Sequence, residues 1–358
     1  MNINISVAMA TFNGKKFILE QLESIRKQTV LPCELVVCDD GSTDGTIDII
    51  EEFSKTAPFP VRWYLNENNL GYADNFLKCA ALCKGDWIAF SDQDDLWLPD
   101  KFKKIAQVIQ KYAGDELVMI GHTSYIANVN LELTGQKLPN FKDDAYIKKC
   151  SNFGFYCIVG FSMVFRSRLI HDIDRTQRPR MHQKNATYPS GHDQWIGMLA
   201  NALGDIAYIN EPLAIWRRHD LSLTTPPRGE GLADAVVKSI RALDSGPYIL
   251  LANMAQESAI SFEKIGEMSA VQEIRIRACT ASKNFRRLSN NLKMRAQLYE
   301  NHRRFTSIKI LMHMLKINAY GGAIFHALGW RSFAKDVLVA FGIIGRWNET
   351  RECNTENR

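Results

Sequence analysis

Short apolar runs alternate along the first half of the chain with segments whose apolar residues recur at helical spacing. Ile3 to Ala10 is a β-rich run, and from Gly14 the pattern turns helical through Phe17, Leu19, Leu22 and Ile25. Leu35 to Cys38 predicts a second strand, and Thr46 to Phe53, with Ile47, Ile50 and Phe53 on one side, a second helix. Val61 to Leu65 predicts a third strand, Asn68-Asn69-Leu70-Gly71 a loop, Ala73 to Cys83 a helix, and Trp87 to Phe90 a fourth strand. A helix from Pro99 to about Tyr112, a strand at Leu117 to Ile120 and an irregular stretch from Asn130 to Asn152 follow. Ile158 to Phe165 reads as a strand, Asp193 to Leu203 as a helix, and Ala207 to Leu213 as a strand running into a turn. Strands and helices alternating through short loops predict a mostly parallel sheet with helices on both faces.

The pattern changes near residue 225. Leu221 to Gly231, with Pro226, Pro227, Gly229 and Gly231, reads as a linker. Residues 232 to 345 are helical in pattern, with breaks at Gly246-Pro247 and Gly321-Gly322, and residues 348 to 358 form a polar tail. The expected organisation is an α/β domain over 1–225, a helical C-terminal region over 226–347 and the tail.

Composition adds limits. With 358 residues, 46% of them hydrophobic, the chain can bury a sizeable core. The start at Met1 lacks a basic leader and already reads as a strand, and no uncharged apolar run is long enough for a spanning helix, so a cytoplasmic protein, at most attached to the inner face of a membrane, is expected. The eight cysteines include no C-x-x-C pair and are expected to be free thiols. Net charge is +5, but residues 236 to 358 hold 19 Lys plus Arg against 10 Asp plus Glu, whereas residues 1 to 235 hold 25 against 29. From Phe305 to Trp347, apolar segments mixed with Lys309, Lys316, Arg331 and Lys335 suit a helix lying on an anionic membrane, or else packing against the first domain or a second copy.

The candidate chemistry lies at the ends of the predicted strands. Asp92-Gln93-Asp94-Asp95 follows an apolar strand directly, placing negative charge at its carboxyl edge, where open α/β sheets bind ligands. Asp92 and Asp94, one residue apart, can aim oxygens at one hard divalent ion, Mn²⁺ or Mg²⁺, which in turn suits a phosphorylated substrate. Thr11 and Asn13, Asp39 and Asp40, and Asp92 to Asp95 are expected to gather along one edge.

Four blocks in order, Val7 to Gly14, Val37 to Thr46, Asn68 to Gly71 with Asn75, and Ser91 to Asp100, resemble the inverting family 2 glycosyltransferases, which have the GT-A (nucleotide-diphospho-sugar transferase) fold. Within that family the wording around Ser91 to Pro99, His192-Asp193 and Trp216 to His219 is similar to bacterial rhamnosyltransferases of surface polysaccharide synthesis. The resemblance implies a nucleoside diphosphate sugar donor, thymidine-diphosphate rhamnose above all, a glycan or lipid-linked glycan acceptor, and no nucleic-acid partner. It implies Asp94 as a metal ligand, Asp92 on the ribose or the metal, and His219 as a further metal ligand or diphosphate contact. Asp40 would accept the pyrimidine N3–H, with Asp39 beside it, although either could instead cap the following helix. Ala10 and Thr11, with Asn13 at the same strand end, would lie beside the base and diphosphate, Gly71 and Asn75 would line base or ribose, and Arg217 or Arg218 would neutralise the leaving diphosphate. Asp193 would be the general base, on the same residues a first-turn acid of its helix would occupy.

Overall fold

The computed structural model describes residues 3–114, 116–155, 157–183, 186–220, 244–301 and 303–344. The predicted alternation is present as β1 (Ile5–Thr11), α1 (Ile18–Arg26), β2 (Glu34–Asp39), α2 (Thr46–Thr56), β3 (Val61–Leu65), α3 (Tyr72–Ala81) and β4 (Trp87–Ser91). A short β5 (Leu96–Trp97), α4 (Lys101–Lys111) and β6 (Leu117–Ala127) come next. The stretch from Asn130 to Asn152, expected to be irregular, contains β7 (Leu133–Lys137) and β8 (Ala145–Ile147), which pair with β6 and with β12 (Asp205–Arg217). Instead of one strand from Ile158 to Phe165, a single 3₁₀ turn over Gly160–Ser162 precedes β9 (Met163–Arg166). Then come α5 (Arg168–His171), the hairpin β10 (Arg180–Gln183) and β11 (Ala186–Pro189), which periodicity did not predict, and α6 (His192–Leu203).

The sheet runs β3-β2-β1-β4-β9-β6-β12-β5. Strands β1 to β4 are parallel neighbours and β6 is parallel to β12, while β9 and β5 run antiparallel, so the sheet is mixed and mostly parallel. Register aligns the carboxyl ends: Thr11 lies beside Asp39, and Met9 beside Ser91. Because side chains alternate across a strand, Ile5, Val7 and Met9 of β1 face one layer and Ala8 the other. The first layer holds α1, α2 and α4 through Leu22, Ile50 and Phe102; in α1 it is Ile18, not the exposed Leu19, that continues the buried stripe. The second layer holds α3 and α6.

That second layer does not stop at the first domain. Helices α7 (Gly246–Met268) and α8 (Gln272–Glu300) share its core cluster. Trp195 of α6 meets Phe262 at 5.9 Å between ring centroids, Phe262 stacks on Phe285 at 5.5 Å, and Phe285 meets Phe325 edge-on at 4.8 Å. This pair of helices therefore packs on the α/β layer; Gly246-Pro247, expected as a break, is instead the first turn of α7, where proline's missing N–H costs nothing. Helices α9 (Arg304–Lys316) and α10 (Trp330–Ala340) form a smaller outer cluster around Leu298, Leu311 and Ala340, with the expected break at Gly321-Gly322 between them. No described helix is long and apolar enough to cross a membrane. The expected linker at 221–231, the boundary at 225 and the tail from 348 lie outside the described residues.

A shared core predicts shared unfolding. Phe285→Ala, at a fully buried position, is expected to lower stability by about 3–5 kcal/mol in urea denaturation. The main transition, followed by sheet-layer tryptophan fluorescence, should shift as a whole; an unmoved main transition would mean the helices melt separately.

Candidate active site

Three loops leave the carboxyl ends of β1, β2 and β4, and side chains of each satisfy the backbone of another. Asn13, at φ 49°, donates its N–H to Ser42 Oγ at 2.7 Å and accepts from the Thr43 N–H at 3.0 Å. The Gly14 N–H donates to Thr46 Oγ1 at 2.9 Å and that of Lys15 to Asp44 Oδ2 at 3.0 Å. Gln93, the uncharged member of the acidic run, grips Phe12 like a neighbouring strand: Oε1 accepts from its N–H and Nε2 donates to its carbonyl, both at 3.0 Å. The expected gathering of strand ends is thus hydrogen-bonded edge to edge.

Within this frame the predicted residues separate by what their polar atoms already do. Asp39 is buried and saturated: Oδ1 accepts from the N–H groups of Gly41 and Ser42, and Oδ2 from Thr11 Oγ1 and Ser42 Oγ at 2.7 and 2.6 Å. It shapes the loop rather than facing a ligand, and the Thr11 hydroxyl is committed to it. Ala10 lies half-buried on β1 beside Cys38, leaving only backbone to offer. Asp40, also buried, takes Asn66 Nδ2 and the Leu70 N–H on Oδ1 and the Gly71 N–H on Oδ2, each at 2.8 Å, so Oδ2 keeps a lone pair for a further donor. Gly71 sits at φ 78° and ψ 157°, a region that only glycine enters readily. Asn75 has both polar atoms engaged within the protein: Nδ2 donates to the Cys38 carbonyl and Oδ1 accepts from Asn66, with Lys78 completing the chain on Asn66 Oδ1 at 2.6 Å. Asn66 and Lys78 were missed by sequence reasoning; a polar residue ending β3 was the available signal.

The acidic turn meets the end of β12. Strand β5, immediately after the turn, pairs Trp97 with Ala214 and Leu96 with Ile215, and β12 continues past its predicted turn to Arg217. His219 Nε2 thereby lies 2.8 Å from Asp94 Oδ2, its ring packed on Phe17 at 4.6 Å. Asp95 is buried and accepts the Arg217 N–H, tying the acidic turn to the end of β12. The two arginines differ. Arg217 is buried, ion-paired to Glu20 and 4.7 Å above the Phe17 ring, so its guanidinium braces α1 and is not presented to a diphosphate, a correction to the expected role. Arg218 is half-buried over Trp216 at 4.4 Å and forms no ion pair with a described residue; burial lowers its pKa, while Asp94 and Asp95 pull it back up.

Electrostatics unite the acids. Asp92, half-buried, has its pKa pushed up to about 8, first by desolvation and then by Asp94 and Asp193, so the base candidate on α6 and the acidic turn share one site. Asp95 is raised for the same reason, desolvation first, then Asp94 and Asp92. Behind them Lys101, fully buried 3.7 Å above the Trp97 ring, donates to the Phe161 carbonyl at 2.8 Å; burial holds its pKa far below the ordinary lysine value, against the pull of Asp95 and Asp92. This buried cation was also missed. Asp193 opens α6, with Oδ1 accepting the Gln194 N–H at 2.7 Å, whereas His192 stacks on Phe76 at 4.1 Å and is pushed down to about 4 by burial, a neutral wall of the site. Trp195 and Trp216 are core residues and offer no face to a sugar.

Among the described residues no three His, Cys, Asp or Glu side chains already converge as a metal cage. Magnesium-type sites do not need one: they use one or two carboxylates, with substrate phosphates and water completing the shell. Asp94 beside His219, with Asp92 held back from ionising by burial and its acidic neighbours until a cation compensates them, is a donor set that fits a hard divalent ion.

The mixed sheet, with acidic strand ends gathered beside a carboxylate that opens a helix, has the expected nucleotide-diphospho-sugar transferase (GT-A) fold. Residues 6–173 match the family model described as Glycosyl transferase family 2, so this part of the chain is similar to that family of glycosyltransferases. It is 39% identical over 125 residues to "dTDP-rhamnosyl transferase RfbG" of Shigella flexneri, covering 34% of this chain and 40% of that protein. It is 29% identical over 149 residues to "UDP-Glc:alpha-D-GlcNAc-diphosphoundecaprenol beta-1,3-glucosyltransferase WfaP" of Escherichia coli, covering 41% and 57%. The matches span about half the length of these curated relatives. The solved structure of S. aureus TarS 1-349 in complex with UDP has a TM-score of 0.51 at 17% identity, covering 95% of this chain and 90% of that one, a likeness of fold.

The raised Asp92 fixes a sign. A carboxyl whose folded pKa is about 8, against an ordinary value near 4, adds stability that is fully present below its unfolded pKa and lost as pH rises through 8. Unfolding free energy of the metal-free protein, measured by urea denaturation, is therefore expected to fall between pH 5 and pH 8, by up to about 1.4 kcal/mol per pH unit for one proton. Asp92→Asn should flatten that slope; an unchanged slope would remove Asp92 as its source.

Proposed function

We propose that this protein transfers a sugar from a nucleoside diphosphate donor to a hydroxyl of a glycan or lipid-linked glycan in bacterial surface polysaccharide synthesis, with inversion at the transferred carbon. The observation that carries the reading is the meeting of Asp92, Asp94 and Asp193 from two distant segments, visible in the pressure each places on the Asp92 proton. Asp193, on the first turn of α6, takes the proton from the attacking hydroxyl, and its Oδ2 is left for that task by the Gln194 bond to Oδ1. One base and one displacement need no covalent intermediate. Asp40 accepts the pyrimidine N3–H on the open position of Oδ2, and Asn66, Leu70 and Gly71 hold it there. Arg218 faces the departing charge. Asp94, His219 and Asp92 hold Mn²⁺ or Mg²⁺, which when bound supplies Lewis-acid stabilisation of the leaving diphosphate.

Thymidine-diphosphate rhamnose is the favoured donor, supported by the 39% identity over 125 residues to a dTDP-rhamnosyl transferase. A uridine-diphosphate donor is the second reading, supported by the 29% identity to a UDP-glucose enzyme. Thermal-shift measurements with thymidine, uridine and guanosine diphosphates, with and without Mn²⁺, separate them. Thymidine diphosphate with Mn²⁺ is expected to stabilise most, by about 2.7 kcal/mol at a hundredfold excess over Kd, and no metal-dependent response to any nucleotide would remove the donor site. Asp193→Asn should keep that stabilisation and lose about 10²–10⁴-fold in turnover. Turnover near wild type would take the base role from Asp193.

A further inference from the structure

The outer helix pair carries a surface that the transfer reaction does not use. Five described apolar side chains stand far out of the core there: Phe305 is 85% exposed, Trp330 73%, Ile343 64%, Ile324 61% and Met312 59%. Their placement is ordered. On α9, Phe305, Lys309, Met312 and Lys316 follow one another at intervals of four, three and four residues, which puts them on a single stripe, opposite the buried Ser307, Leu311 and Met314. On α10, Trp330, Ala334 and Phe341 share a stripe by the same rule, and Arg304 lies 5.9 Å over the Phe341 ring, joining the start of α9 to the end of α10.

Charge selects the partner. Residues 301–344 hold six cations, Arg303, Arg304, Lys309, Lys316, Arg331 and Lys335, and a single acid, Asp336. That acid is fully buried, bonded to Arg295, Tyr299 and Tyr320 at 2.8–3.0 Å, so the segment offers no carboxylate to the outside. None of Arg303, Arg304, Lys309, Lys316 and Arg331 forms an ion pair with a described residue. A twofold contact between copies would set this patch against itself, cation against cation. Nucleic acid would answer the charge but not the exposed Phe, Ile, Met and Trp. A bilayer bearing anionic headgroups answers both, apolar side chains entering the headgroup boundary while the cations remain among the phosphates.

We propose that the α9–α10 face is a membrane-docking surface that lies on anionic lipid without crossing it. No described helix could span the bilayer, in keeping with docking in the plane of the interface. The proposal stands apart from the donor reading, because docking needs neither nucleotide nor metal.

Co-sedimentation of the whole chain with vesicles tests it, using phosphatidylglycerol-rich vesicles against phosphatidylcholine alone and without donor or acceptor. Binding is expected on the anionic vesicles, weakening as salt rises. Lys309→Glu with Lys316→Glu should reduce it by about tenfold or more, since each cation near an anionic surface contributes to the partition. Phe305→Ser with Trp330→Ser should reduce it while keeping the wild-type melting curve, as both side chains are exposed. Equal binding to the two lipids, or wild-type binding by the charge-reversed protein, would overturn the proposal. So would a stable dimer that the Phe305 and Trp330 substitutions split and that binds neither vesicle.

Discussion

The structure depends on the lacing of three strand-end loops. Parallel strands deliver β1, β2 and β4 to the same edge, but a strand end alone leaves its loop free to take many paths. Here each loop is held by its neighbour: Asn13 and Gly14 by Ser42, Thr43 and Thr46, and Phe12 by Gln93. Asp39 draws four donors from Thr11, Gly41 and Ser42. These bonds satisfy backbone groups at a crowded edge and leave Asp92, Asp94 and one lone pair of Asp40 facing outward. Residues that look functional by position, Asp39 and Asn75, are the fasteners.

The second constraint is charge. Three acids in one turn, with Asp193 approaching from α6, repel one another in a partly desolvated place, and the raised pKa values of Asp92 and Asp95 record it. The fold answers with basic side chains of unequal availability: Lys101 sealed under Trp97, Arg217 tied to Glu20, His219 on Asp94, and Arg218 at the rim. The inward side chains brace the turn without cancelling its acidity. What remains is unbalanced negative charge that a divalent ion can relieve.

The sheet and its flanking helices were legible because their signals are local. Apolar alternation placed β1 to β4 and α1 to α4 within a few residues, and the acidic run announced a site. What was not legible depends on pairing between distant segments. Nothing near Trp216 indicates that β12 would extend beside Leu96 and Trp97, yet that pairing brings His219 to Asp94 and turns Arg217 towards Glu20. Asn66 and Lys78 matter only because α3 packs over the end of β2. The C-terminal region looked like one basic, helical extension; packing divides it into α7 and α8, joined to the α6 layer through Phe262 and Phe285, and an outer pair whose apolar residues face away.

On the proposed function, the laced edge binds a donor diphosphate and a divalent ion together. Electron paramagnetic resonance of Mn²⁺ titrated into the protein reads this directly. Weak binding of Mn²⁺ alone is expected, with tight binding of a single ion when thymidine or uridine diphosphate is added and loss of that tight site in Asp94→Asn. Equal Mn²⁺ binding with and without nucleotide, or an Asp94→Asn protein that holds the ion as the wild type does, would contradict it.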